Sequence, residues 1–217
     1  MGITRLPPHN AWVRVSWLVA LTGMVTGCNL FRGAVLLMGP EQTRKVPAEY
    51  PHLAGKKACV IVWAEPYTLF DHPNVQLELA EHVRVALEGT VAGLSCVPSR
   101  QIVDYQYSHP DWDRESPGRL GNRFGVERVV LLELTEYTTR EPESQHLKRA
   151  HIAANVKVYD TAYPDAEPVY KTAIETVYPP DGPAPYGVNE PSLRRTGMEA
   201  FAAQLAGKFY ERREKVK

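Results

Sequence analysis

The spacing of apolar residues changes repeatedly along this chain, and each spacing predicts an element. Lys57–Ala64 (KACVIVWA) is a continuous apolar run between Gly55 and Pro66, the pattern of a strand buried on both faces. From Asn74 to Gly89 the period becomes three to four, with Val75, Leu79, Val83, Ala86 and Leu87 on one side and Glu78, Glu81, His82, Arg84 and Glu88 on the others. That is an amphipathic helix, entered beside Pro73 and stopped at Gly89. Leu94–Tyr105 (LSCVPSRQIVDY) reads as a weaker strand, partly edge or loop because Pro98 cannot donate to a ladder. Ser116-Pro117 opens a short helix, in which Leu120 and Phe124 pair across one turn before Gly125.

Three strands are expected next. Glu127–Thr138 (ERVVLLELTEYT) is strongly apolar. Arg149–Asp160 alternates, with Ile152, Ala154, Val156 and Val158 facing one way and His151, Asn155, Lys157 and Tyr159 the other. Pro168–Tyr178 alternates again. Period two means one buried face and one wet face, and short polar links between these runs predict an antiparallel meander. Pro179–Pro191 is rich in proline and glycine and reads as a loop. A closing helix is expected over Ser192–Arg213, its stripe formed by Met198, Phe201, Leu205 and Phe209, with Arg212, Arg213 and Lys215 complementing the dipole at its end. The order β-α-β-α-β-β-β-α predicts an α/β fold of the α+β type, a single domain with helices packed on a mixed sheet.

The first 27 residues break from all of this. They carry Arg5 and Arg14, no acid, and an uncharged apolar run Val15–Val25 (VSWLVALTGMV). A basic start, a short apolar core and small residues at the end make an export signal, too short for a spanning helix of about 20 residues. Val25-Thr26-Gly27-Cys28 then resembles the bacterial lipobox. Small side chains suit the signal peptidase, and the Cys28 thiol would take the diacylglycerol, so that two or more acyl chains anchor the mature chain stably. The competing reading is an uncleaved signal anchor over Met1–Met38, kept open by the apolar stretch Leu30–Met38. The expected division is residues 1–27 as signal, 28–54 as tether with an ordered lead-in near Tyr50–Leu53, and 55–217 as the folded domain.

Charge excludes one class of partner. The chain holds 25 basic and 25 acidic residues. Without Arg5 and Arg14 the mature part is near −2, so there is no basic field for nucleic acid. Candidate chemistry is thin. Cys59 and Cys96 each sit in an apolar run, either as buried small hydrophobes or as a disulfide in an oxidising compartment. His109, Asp111 and Asp113 lie together in Tyr107–Ser116 (YSHPDWDRES), a set that suits either a solvated turn or a cation site. Glu65-Pro66-Tyr67 and Asp71-His72-Pro73 follow the first strand, where open sheets place ligands, without a glycine-rich phosphate loop. Gly118-x-x-Gly121 reads as a close-packing device. Glu133 and Glu136 are expected on opposite faces of their strand, and no nucleophile elbow is present. No catalytic residue, metal ligand or cofactor is expected.

The layout resembles a domain shared by the TolB amino-terminal region and the envelope lipoproteins CsgG, FlgO and LpoB. The residues that carry the likeness are Gly55–Val62, Leu79–Leu87 and Gly121–Leu134 (GNRFGVERVVLLEL). The resemblance implies a non-catalytic scaffold or adaptor in assembly or regulation of an envelope complex, held to the membrane by lipid, facing the periplasm, at the outer membrane rather than the inner one. It implies an envelope protein as partner and leaves room for a homo-oligomer. A second expectation is an accessory of a transport or lipid-trafficking system, with an apolar groove that includes Trp63, Leu69 and Phe70. A third is a hydrolase working through His109–Asp113.

Overall fold

The computed structural model describes residues 43–140, 148–182 and 187–215. Cys28 and the signal region lie outside the described residues. The elements are β1 (Thr43–Val46), β2 (Lys57–Trp63), α1 (Pro66–Asp71), α2 (Val75–Thr90), β3 (Ser95–Cys96), α3 (Ser99–Ser108), α4 (Pro117–Arg123), β4 (Arg128–Arg140), β5 (Lys148–Asp160), β6 (Tyr170–Tyr178), α5 (Glu190–Ala206) and β7 (Arg212–Lys215). One compact unit spans Lys45–Arg212, and the division from the second unit passes through β1 and β7, which form a two-stranded sheet of their own.

The main sheet has the order β3-β2-β4-β5-β6. β2 runs parallel to β3 and β4, while β4, β5 and β6 form the antiparallel meander. This is the expected mixed sheet with helices packed on it. Parity of the side chains sorts it into two faces. Val60, Val62, Val130, Leu132, Leu134, Ile152, Ala154, Val156, Val158 and Ile174 face one way and pack with α2 and α5 through Leu79, Val83, Leu87, Met198, Phe201 and Leu205. Tyr50 and Leu53, in the lead-in, are buried in the same core. Cys59, Ile61, Val129 and Leu131 face the other way and pack against Ile102 of α3 and Leu120 of α4. Each large aliphatic side chain sealed in this way contributes about 1.5–3 kcal/mol.

The helix α4 sits close to its neighbours because its glycines allow it. A Cβ at Gly118 would come within 2.5 Å of the Pro164 carbonyl oxygen, and one at Gly121 within 2.5 Å of both Thr161 and Val129.

Four expectations change. Leu94–Tyr105 is a strand only at Ser95–Cys96; Pro98 ends it, and Ser99–Ser108 is a helix that buries Ser99, Ile102, Val103 and Gln106. Those positions repeat at helical spacing, and the apolar pair Ile102-Val103 concealed that period. Residues 66–71 form a short helix where none was expected, with Pro66 at its first turn. The closing helix stops at Gly207 rather than Arg213, and Arg212–Lys215 belongs to β7, so those cations do not complement a helix end. Finally, Glu133 lies opposite Asn155 and Glu136 opposite Ala153, across a register shift between Leu134 and Glu136. Asn155 and Ala153 share a face of β5, so the bulge brings Glu133 and Glu136 to one face instead of two.

One edge is finished by side chains. Lys56 and Ala58 give their carbonyls to the Ser95 and Val97 amides on the β3 side. Val62 has the same parity, but β3 stops short of it. The buried Gln76 and Gln106 replace the missing strand, each donating from Nε2 to the Val62 oxygen, at 2.9 and 3.0 Å. An unmet buried carbonyl would cost roughly 1–3 kcal/mol.

Candidate functional site

The second face is only half covered. Beyond α4, at the carboxyl ends of the parallel strands β2 and β4, it opens into a cleft of about 520 Å³. Ile61 and Trp63 of β2, Leu131, Glu133 and Thr135 of β4, and Asn155 and Tyr159 of β5 supply one wall. Trp112, Asp113, Glu115, Pro117 and Leu120 supply the other. The carboxyl ends of parallel strands are where open sheets bind ligands, and a mainly apolar cleft with a few placed polar groups is the usual form of such a site.

The second wall is pinned to the β5–β6 turn. Ser116 Oγ donates to the Pro164 carbonyl at 2.8 Å, and the Arg119 guanidinium meets Asp165 at 2.7 Å. Glu115 is held by Arg123 at 3.1 Å. On the sheet, Lys157 Nζ donates to Glu133 Oε1 at 2.6 Å. This bond holds the Lys157 ammonium above its ordinary pKa, against burial. Burial likewise raises the Tyr159 hydroxyl. A carboxylate committed to an ammonium is a poor general base, so the three rings and the fixed polar groups suit recognition.

A second, more polar cleft of about 620 Å³ is lined by Tyr67, Thr68, Asp71, His72, Tyr137, Thr138, Thr139, Arg140 and Glu190. The His72 ring meets Tyr137 edge-on at 4.7 Å, and burial lowers the His72 pKa. Burial also pushes the Tyr137 hydroxyl well up. Burial works to raise Glu190, but bonds from Lys148 and from Thr139 Oγ1 outweigh it and hold the carboxyl below its usual range.

The residues singled out from sequence disperse. His109 stacks on Tyr105 at 4.0 Å, with Nδ1 3.0 Å from the Tyr105 carbonyl oxygen. Asp111 pairs with Arg114 at 3.1 Å, and of the three only Asp113 lines the aromatic cleft. The three do not converge, and among the described residues no group of three His, Cys, Asp or Glu side chains could hold a metal ion. Cys59 and Cys96 are free thiols, not a disulfide. Burial pushes Cys59 far up and Cys96 up to about 12, so neither is a nucleophilic thiolate. Gly118 and Gly121 are packing glycines, as expected. The groove expected from Trp63, Leu69 and Phe70 is not formed. Trp63 packs with the second-face cluster and Leu69 with the first, while Phe70 is 85% exposed. Trp112, Glu133, Lys157 and Tyr159 went unrecognised as a site. Their one signal was the polar row of β5, which places Lys157 and Tyr159 on the wet side.

No family model matches this chain. No curated protein matches it. Solved structures are similar to it in fold. A single-substitution variant of the PelC dodecamer from Paraburkholderia phytofirmans shares 10% identity over 79% of this chain and 99% of that one, with a TM-score of 0.47. The lipoprotein GNA1162 from Neisseria meningitidis shares 16% over 69% and 97%, at 0.44. A minor lipoprotein from Acinetobacter baumannii shares 14% over 71% and 90%, at 0.37. Identities this low say nothing about function.

Proposed function

We propose that this chain is a lipoprotein of a bacterial cell envelope, anchored through acylated Cys28, that acts by binding another envelope component. The observation that carries the reading is the series of Arg5 and Arg14, the uncharged Val15–Val25 run, and Val25-Thr26-Gly27-Cys28. The fold supports a binding role. The lead-in Tyr50–Gly55 meets β2 at its amino end, and the aromatic cleft opens at the carboxyl end of the same strand. About seven residues of strand separate the two, roughly 23 Å. A copy held by an amino-terminal lipid therefore carries its cleft at the end away from the tether. The partner is a protein, engaged through Trp63, Trp112 and Tyr159. The role is assembly or regulation of an envelope complex, as the resemblance to the TolB, CsgG, FlgO and LpoB group implies.

The test is metabolic labelling with a fatty acid in cells treated with globomycin. The wild-type chain should accumulate as a labelled precursor, and Cys28→Ala should lose the label. Labelling of Cys28→Ala at the wild-type level overturns the anchor. A photoreactive residue at Trp112 should capture an envelope protein that the same residue at the exposed Val85 does not. Equal capture at both positions would remove the cleft from the proposal.

A further inference from the structure

The free edge of the main sheet is β6, whose one strand neighbour among the described residues is β5. Natural edge strands of this length are guarded by a proline, a bulge, a cover or charged side chains, and the guard on β6 is its charges, Lys171 and Glu175. The nine residues of β6 (YKTAIETVY) contain no proline, and the pairing with β5 runs without a register shift from Tyr170 to Tyr178. The residues that point to the second, open face are Lys171, Ala173, Glu175 and Val177, preceded by Val169. Val169 is 49% exposed, and Lys171, Ala173 and Glu175 are exposed as well.

That row is self-complementary. Set antiparallel to itself about Ala173, it puts Val169 opposite Val177, Lys171 opposite Glu175 and Ala173 opposite its own copy. The two symmetry-related cross-strand ion pairs flank two small side chains, and an apolar pair closes each end. Shifting the centre by one residue to either side places Lys171 opposite Ala173 or opposite Val177, and both ion pairs vanish. The inner neighbours sharpen the preference. Lys171 lies opposite Lys157 of β5, a like charge, while Glu175 lies opposite Ala153. Among the described residues Glu175 makes no ion pair, and Lys171 makes an exposed one to Glu167 at 3.1 Å, which is worth little.

We propose that β6 pairs with β6 of a second copy across a two-fold axis at Ala173, joining two five-stranded sheets into one of ten strands. This is an isologous contact, in which the same patch serves both partners, and main-chain hydrogen bonds along the edge supply its affinity. It requires neither the lipid anchor nor the cleft, so its failure and theirs are separable. The row Glu133–Lys157–Lys171 then ends on the second copy's Glu175, so that each of the two adjacent bases has an acid on its outer side.

The test uses the full chain purified in detergent. Ala173→Cys should give a disulfide-linked dimer under mild oxidation. Asn155→Cys, exposed on the same face but one strand inward, should not, and the unsubstituted chain sets the background from its own cysteines. Lys171→Glu and Glu175→Lys should each weaken the dimer about tenfold, and the two together should restore it, with circular dichroism showing that all three variants fold. A monomer with no Ala173→Cys cross-link overturns the proposal. So does a dimer that ignores both charge reversals, cross-links equally well through Asn155→Cys, or is displaced by another protein's strand at this edge.

Discussion

The two faces of the main sheet are built to different standards. The first is sealed under α2 and α5, and its β5 row Ile152, Ala154, Val156 and Val158 is buried throughout. The second is sealed only near β2 and the start of β4. From there outward it carries Glu133, Asn155, Lys157, Lys171 and Glu175, in a cleft or in the open. One strand thus serves the core on one side and lines the open face on the other, with adjacent residues given opposite surroundings. In this fold the exposed polar groups of the sheet lie where a layer of helices ends.

The largest effect expected from this contrast comes from one charge placed on neighbouring residues. Val156 has 0% exposure in the first-face core. Val156→Asp should cost about 4 kcal/mol or more, enough to unfold a marginal domain. Asn155→Asp, one residue away on the second face, should change stability by no more than about 0.5 kcal/mol. Urea denaturation of both measures the difference, and equal losses would erase the distinction between the faces.

A smaller effect separates tight from loose helix packing. Gly121→Ala drives a methyl into Thr161 and Val129 on the second face and should cost about 1–3 kcal/mol. Gly89→Ala, in α2 with nothing within 4 Å of the new methyl, should gain up to about 1 kcal/mol of helix propensity. Thermal melts that move in the same direction for both would show that α4 is not packed as described.

The smallest effect is a pH dependence. Burial holds His72 below its ordinary value of 6.5, so the unfolded chain binds this proton more readily than the folded one. The stability that the neutral imidazole confers is fully present above about pH 6.5 and is lost as pH falls through the lowered folded value. His72→Gln should flatten the stability profile just below pH 6.5, ahead of the carboxylates that titrate lower, such as Glu49 and Glu190. An unchanged slope there would place His72 in water.

Much of the sealed face was legible in sequence because period-two and period-three patterns state directly which residues meet the core. Val156 and its row, the helix from Val75, and the stripe Met198, Phe201 and Leu205 all followed from spacing. Segments governed by short-range geometry were not legible. Pro66–Asp71 buries no side chain and so leaves no period. Ser99–Ser108 follows Pro98, a residue that interrupts a strand as readily as it precedes a helix. The aromatic cleft was hidden for a different reason. Its walls come from β2, β4, β5 and the segment before α4, far apart in the chain, and no local motif marks a shared surface. Asp113 and Trp63 stand far apart in the chain, and strict alternation does not reveal the bulge that brings Glu136 to the face of Glu133.

That bulge acts on β4 as a frameshift acts on a message. Up to Leu134 the inward positions are even-numbered, Val130, Leu132 and Leu134; beyond it they are odd, with Tyr137 packed on the first-face core and Thr139 buried. One extra residue resets the code of inside and outside from Glu136 to Thr138, where a second register shift, between Thr138 and Arg140, ends the reset. The same strand can therefore present Glu133 and Glu136 to one side while still delivering Tyr137 to His72 on the other. Loss or gain of a single residue there would turn the outer end of β4 inside out, so the length of this strand is constrained as tightly as its composition.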